Sequence, residues 1–493
     1  MPKKRPNILW YCTDQQRFDT IHTLGNEYIR TPVLDFLVKE GVAFTNAYAQ
    51  SPVCTPSRAT FLTGRYPSTH HVHRNGNECF PDSEVLVTKL FADQGYDCGL
   101  VGKLHLSKGS VLERRPKDDG YCYYKWSHHP NPDYPEGHDY ADWLKEKGVD
   151  PIKLYGKLQG SVCYGVPAEL HQTTWCSEMA IEFIKENRNI PWLLSVNPFD
   201  PHPPFDPPKE YADLYNPEEM PYPLFRESDL NHQKLFKDID QQTKEAINPY
   251  KASGEKDATQ DIPRGDMGSI PPTNYDTRQV KAYYYAMIQQ IDYQLGRIIE
   301  ALKETDQYEN TMIIFMSDHG ELLGDHGLIY KGCRFFEGLV HVPLIISWPD
   351  RSLSGVNSDA LVELVDLAPT LLDAAGFAIP YYMQGKSLMP IVTGEKDKSY
   401  HKDSVICEYH GAIGGNTMYD QTHGIMYYDG RYKICIYEGH EVGEIYDLEN
   451  DPGEFDNLWF EKEHKDLKLE LLQKAMKRYM TTNSPGVIRA ALY

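Results

Sequence analysis

Four short apolar runs in this chain each stop at residues that can carry charge or move a proton. Ile8 to Cys12 leads to Asp14, and Tyr96 to Val101 leads to Lys103 and His105. Trp192 to Val196 leads into Asp200-Pro201-His202-Pro203-Pro204-Phe205, and Met312 to Met316 leads to Asp318-His319-Gly320. Short runs that are mostly apolar and rich in β-formers, without polar alternation, predict strands buried on both faces of a parallel sheet. In open α/β sheets, ligands bind beyond the carboxyl ends of the strands. The four runs therefore bring carboxylate, ammonium and imidazole groups to one edge, where they could bind ions and transfer protons. A lone Asp at a strand end is ordinarily a helix cap, and a lone His an ordinary hydrogen-bonded group. Four such endings together are not explained that way.

A second concentration of chemistry is Cys54-Thr55-Pro56-Ser57-Arg58. Ser57 through Leu62 reads as a helix. Its amino end would present peptide N–H groups and a positive dipole end to an anion near residue 54. By itself, a cysteine before a helix is a buried structural residue. His70, His71, His73 and Arg74 follow, and read either as an anion funnel or as an exposed polar loop. Asn75 is a candidate substrate contact. Ile288, Ile291, Leu295, Ile298 and Leu302 mark one apolar helical face, which is core packing.

The elements that must hold these groups are bounded by composition. At 493 residues the chain is too long for one ordinary core. We expect a large mixed, mostly parallel sheet flanked by helices over 1–395, and a smaller C-terminal α+β domain over 396–493. In the latter, Gly424 to Tyr428 and Arg431 to Tyr437 predict a hairpin around Asp429-Gly430. A terminal helix is expected from about Lys462. Residues 200–224 and 251–275 read as long surface loops, and the 35 tyrosines suggest that such loops are aromatic. Net charge is −21, which argues against nucleic acid or an anionic membrane as partner. The ten cysteines contain no Cys-x-x-Cys pair, so zinc-ribbon and thioredoxin readings fail; their even number permits disulfides. No apolar run reaches the length of a membrane span, and the start lacks a secretory apolar core. A cytoplasmic protein, or a periplasmic one whose signal has been removed, are both consistent with that start.

Taken in order, these motifs resemble the type I sulfatases of the alkaline-phosphatase-like superfamily. The resemblance rests on Cys54-x-Pro56-x-Arg58, Pro6-Asn7-Ile8-Leu9 with Asp14-Gln15, Gly102-Lys103-Leu104-His105, and His202-Pro203-Pro204. It also rests on Asp318-His319-Gly320-Glu321 with Gly324-Asp325-His326, and on Ile445 to Glu454. It implies that a maturation enzyme oxidises Cys54 to formylglycine. The hydrated aldehyde can attack sulfur and then expel sulfate. It further implies that Asp14, Gln15, Asp318 and His319, with residue 54, hold one divalent cation. Oxygen-rich ligands suit Ca²⁺ first, with Mg²⁺ or Mn²⁺ as alternatives. Arg58 and Lys103 would steady the charge, and His105 would act as the base that regenerates residue 54. His202 and Lys331 would contact sulfate, with His202 protonating the leaving alcohol.

The expected substrate is a sulfated carbohydrate or another small sulfate ester. One departure qualifies this. Many sulfatases carry a second Asp where this chain has Gln15, and often Asn where it has His319. The Asp-Gln form recurs in some glycan sulfatases, in choline-sulfatase-like enzymes and in phosphonate monoester hydrolases, so a phosphonate monoester or phosphodiester hydrolase is the alternative. A catalytically silent sulfoglycan-binding protein would result if Cys54 were never oxidised.

Overall fold

The computed structural model describes residues 5–109, 112–130, 137–158, 160–243, 245–250, 270–413, 422–484 and 486. Eight strands form the large sheet: β1 (Asn7–Thr13), β2 (Val42–Phe44), β3 (Asp97–Gly102), β4 (Tyr123–Trp126), β5 (Trp192–Asn197), β6 (Thr311–Ser317), β7 (Leu344–Ser347) and β8 (Val356–Ser358). Their spatial order is β8-β2-β7-β6-β1-β5-β3-β4. β1, β3, β4, β5 and β6 are mutually parallel, so their carboxyl ends share one edge. β7 runs against both β6 and β2.

Successive side chains of β1 serve opposite layers, as a strand requires. Ile8, Trp10 and Cys12 pack with Phe61 and Leu62 of helix α1 (Cys54–Thr63). Leu9 and Tyr11 pack with Trp175 and Phe183 of α2 (Gln172–Lys185), and with Ile291, Leu295 and Ile298 of α3 (Thr277–Glu304). Helices on both faces explain why the strands carry no polar face.

Two expectations are corrected. The apolar run Val342 to Trp348 reads by the same pattern as a fifth buried parallel strand, and it is not one. His341–Val342 pairs antiparallel with Ala47–Tyr48 in a separate small sheet, and only Leu344–Ser347 enters the large one. Pro343 lies between them, and its missing N–H interrupts a ladder. The first half of the 200–224 segment is not a surface loop, because residues 200–208 are buried. Its backbone is tied to a neighbour: Phe205 N–H donates to Ser161 O at 2.8 Å, and Cys163 N–H to Phe205 O at 3.1 Å. Of the loop expected over 251–275, residues 251–269 lie outside the described residues.

A separate antiparallel sheet follows, in the order β9 (Val405–His410), β10 (His423–Tyr428), β11 (Tyr432–Tyr437), β12 (Gly443–Asp447). The expected hairpin is β10–β11. Helix α4 (Lys465–Met480) lays Leu471 and Ala475 on Ile434 and Ile445. None of the ten cysteines is joined in a disulfide. Among the described residues, no helix is long and apolar enough to cross a membrane.

Candidate active site

Register places the two metal-type carboxylates side by side. Thr13 of β1 is paired with Ser317 of β6, so the next residues, Asp14 and Asp318, leave the sheet together. Cys54 faces them from the first turn of α1. Its Sγ lies 3.1 Å from His319 Nε2, 3.0 Å from Lys331 Nζ, 3.6 Å from Asp14 Oδ1 and 3.9 Å from Lys103 Nζ. Asp14, Cys54, Asp318 and His319 each offer a ligand atom, and these atoms lie within 4.8 Å of one another. All four residues are buried. Arg58, one helical turn beyond Cys54, donates Nε–H to Asp318 Oδ2 at 2.9 Å and Nη1–H to Lys103 O at 3.0 Å. Lys103 Nζ donates to Asp14.

The imidazoles are held by bonds to the backbone. His319 Nδ1 bonds Gly320 O at 2.8 Å, leaving Nε2 toward Cys54. A metal-binding histidine is characteristically oriented by this kind of second bond. His202 Nδ1 bonds Pro203 O at 2.6 Å, and its Nε2 accepts from Lys331 Nζ at 3.0 Å. Gln15 adopts the left-handed region at φ 69°, a cost that recurs at functional sites. Its Oε1 accepts from Lys331 Nζ at 2.6 Å, and its Nε2 donates to Glu321. The amide therefore joins the site through Lys331.

His105, also left-handed at φ 55°, stands on a loop wrapped around a buried carboxylate. Glu113 accepts from the N–H of His105 at 2.8 Å and of Ser107 at 3.2 Å, and from Trp126 Nε1–H at 3.0 Å. Just before that loop, Gly102 brings β3 against β5. A Cβ there would meet Asn197 O at 2.1 Å. Glu113 carries no signal in the sequence, because an isolated Glu has no spacing pattern, and Glu321 stands there only as part of a motif, without a role of its own. Asn75 caps α1: Val53 offers no side-chain cap, and Asn75 Oδ1 accepts the Thr55 N–H at 3.0 Å.

Charges crowd this small volume. Burial and Asp14 push the Cys54 thiol up, but Lys103, Lys331 and His319 outweigh them and lower it. Burial also opposes the Asp14 carboxylate, yet Lys103, His202, Arg58 and Lys331 hold it well below the usual range. Burial, then Lys103, pushes His105 far down; burial, then Lys331, does the same to His202. Two buried nitrogens among these have no hydrogen-bond partner: His105 Nδ1, and Arg58 Nη2, which is ion-paired with Asp14 Oδ2 at 3.5 Å. A cluster of cations with unspent donors, beside a carboxylate–imidazole set, fits an oxyanion and a divalent cation bound together. Asp14, Asp318 and His319 supply donor types suited to that cation.

The chain is similar to known proteins over nearly its whole length. The sulfatase family model matches residues 6–377, and the model described as N-sulphoglucosamine sulphohydrolase, C-terminal, matches residues 324–481. An arylsulfatase of Clostridium perfringens is 30% identical over 98% of this chain and 96% of its own. An N-acetylglucosamine-6-O-sulfatase of Bacteroides thetaiotaomicron is 26% identical over 99% of this chain and 89% of its own. The solved phosphonate monoester hydrolase of Agrobacterium radiobacter superposes with a TM-score of 0.79 at 24% identity, over 97% of this chain and 96% of that one. That likeness is one of fold alone.

Proposed function

The chain belongs to the sulfatase family and is a sulfuric ester hydrolase, and from that premise we propose how its residues do the work and on what. The observation that carries the proposal is the position of Cys54 Sγ, at the amino end of α1 and beside Asp14, His319 and Lys331. Oxidised to formylglycine by a maturation enzyme, residue 54 supplies an oxygen nucleophile in its hydrated form. Asp14, Asp318 and His319, with Gln15 beside them, would hold a divalent cation, Ca²⁺ by the preference of carboxylate oxygens. When bound, the cation would supply Lewis acidity at a sulfate oxygen.

The remaining steps belong to the chain's own groups. Arg58 and Lys103 stabilise the charge that develops on the sulfuryl oxygens. Lys331 and His202, joined by their 3.0 Å hydrogen bond, protonate the departing alcohol. His105, fixed by Glu113, removes the proton that lets residue 54 regenerate. Asn75 holds the helix end at which the anion sits, and it borders the substrate. The substrate proposed is a sulfated amino sugar or a saccharide containing one, on the strength of the names its relatives carry. The division of the chain at about 395/396 is part of the same proposal, because the antiparallel sheet begins at Val405.

A panel of sulfated saccharides and phosphate diesters tests this reading. We expect sulfate release from amino-sugar sulfates, lost on chelation and restored by Ca²⁺. Turnover confined to phosphate diesters would overturn it. One observation favours that second reading: the neutral Gln15 amide stands where a carboxylate would further neutralise the cation. Gln15→Asp should therefore raise the ratio of sulfatase to phosphodiesterase rates. An unchanged ratio would remove the amide from the account of selectivity.

A further inference from the structure

The histidine-rich segment after α1 finds partners on the C-terminal sheet. His73 stacks on His410 with ring centroids 4.5 Å apart, His410 lies 5.4 Å from His423, and His71 lies 5.9 Å from His73. His410 and His423 face each other across β9 and β10. Arg74 acts electrostatically on His423. His70 does not join them. It is buried, with Nε2 at Thr60 Oγ1 of α1 (3.0 Å) and Nδ1 accepting from Val72 N–H (3.0 Å), and so pins the segment to the helix.

We propose that His71, His73, Arg74, His410 and His423 form a second anion-binding subsite. It holds an additional sulfate or carboxylate group of the saccharide whose ester is cleaved at residue 54, and thus rests on the sugar-sulfate reading. Charge balance is the main argument. Four imidazoles and a guanidinium gather in a chain of net charge −21. The buried carboxylate among them, Glu408, is committed to Ser68 N–H at 3.1 Å, Ser68 Oγ at 3.3 Å and His410 Nε2 at 2.9 Å. Glu438 acts electrostatically on exposed His423. Burial, then His410, pushes His73 down to about 4, which disfavours a proton on that ring. An oxyanion would reverse that, and guanidinium and imidazolium donors match its oxygens.

Position is the second argument. The residue after Arg74 is Asn75, whose N–H donates to Ala412 O at 3.1 Å while its Oδ1 caps the Thr55 N–H. The cluster therefore borders the amino end of α1, where Cys54 lies. Imidazoles also suit a transition metal. However, among the described residues, three or more His, Cys, Asp or Glu ligand atoms converge only at Asp14, Cys54, Asp318 and His319.

Calorimetric titration of the Cys54→Ala protein with glucosamine carrying one or two sulfate groups tests the subsite without turnover. The second sulfate should tighten binding about tenfold, the scale of a charge-assisted hydrogen bond. Adding Arg74→Ala, or His410→Ala in a separate protein, should reduce that gain to about twofold or less. No gain in Cys54→Ala, or a gain that survives both changes, would overturn the subsite. Hydrolysis by the native enzyme is scored separately. A disulfated sugar that binds with the gain but is never cleaved leaves the subsite standing and removes the sugar-substrate reading.

Discussion

His202 shows what a single residue can be asked to do. Its Nδ1 is spent on Pro203 O, so only Nε2, facing Lys331, can serve the reaction. If this pair protonates the leaving alcohol, its worth depends on how badly that alcohol needs a proton. A sugar hydroxyl leaves poorly, whereas 4-nitrophenol departs as an anion. General acid catalysis contributes typically ~10²–10⁴-fold. His202→Ala should therefore lower kcat/KM far more for a sugar sulfate than for 4-nitrophenyl sulfate. Equal losses would assign His202 to sulfate binding. His105→Ala should slow both substrates alike, because its step follows departure of the alcohol; a loss confined to the sugar would contradict that order.

At the scale of elements, the site depends on how strands end. β1, β3, β5 and β6 deliver Asp14, Lys103, His202 and Asp318 because they are parallel, and each lies beside at least one other of the four. That much was legible in the sequence, since mostly apolar runs signal buried strands and the charged residue after each run marks its end. The loops were less legible. Glu113 organises the His105 turn through three backbone N–H groups and one indole. Burial raises its own carboxyl against those bonds. Glu113→Ala should leave these buried donors unsatisfied, at about 1–3 kcal/mol for each one that finds no water. We expect kcat to fall with His105 displaced while the cation affinity stays near that of the native protein. A variant with native kcat would deny Glu113 its positioning role. Asn75 illustrates the other limit: the sequence suggests a substrate contact, and only the fold reveals that its side chain also caps α1.

The whole molecule is tied together by buried ion pairs that join distant parts of the chain. Lys402 reaches Glu363 and, at 2.7 Å, Asp366; Arg478 of α4 reaches Glu363 at 2.8 Å. Burial opposes both carboxylates, but Arg478 and Lys402 hold Glu363 below its usual range, and Lys402 does the same to Asp366. Depressed carboxyls stabilise the fold above their unfolded values of about 4, and that contribution is lost as pH falls below them. Lys402→Met should cost about 3–5 kcal/mol near neutrality, with a smaller difference from the native protein at pH 3. Urea denaturation at the two pH values measures this, and a pH-independent difference would contradict it. The central claim concerns the mature molecule: a sulfatase whose nucleophile is made from Cys54. Mass spectrometry of the tryptic peptide spanning residues 40–58 from an active preparation tests it most directly. We expect the Cys54 thiol to be replaced by an aldehyde in a fraction of molecules that scales with sulfatase activity across preparations. An active preparation in which that peptide is entirely thiol would contradict the account.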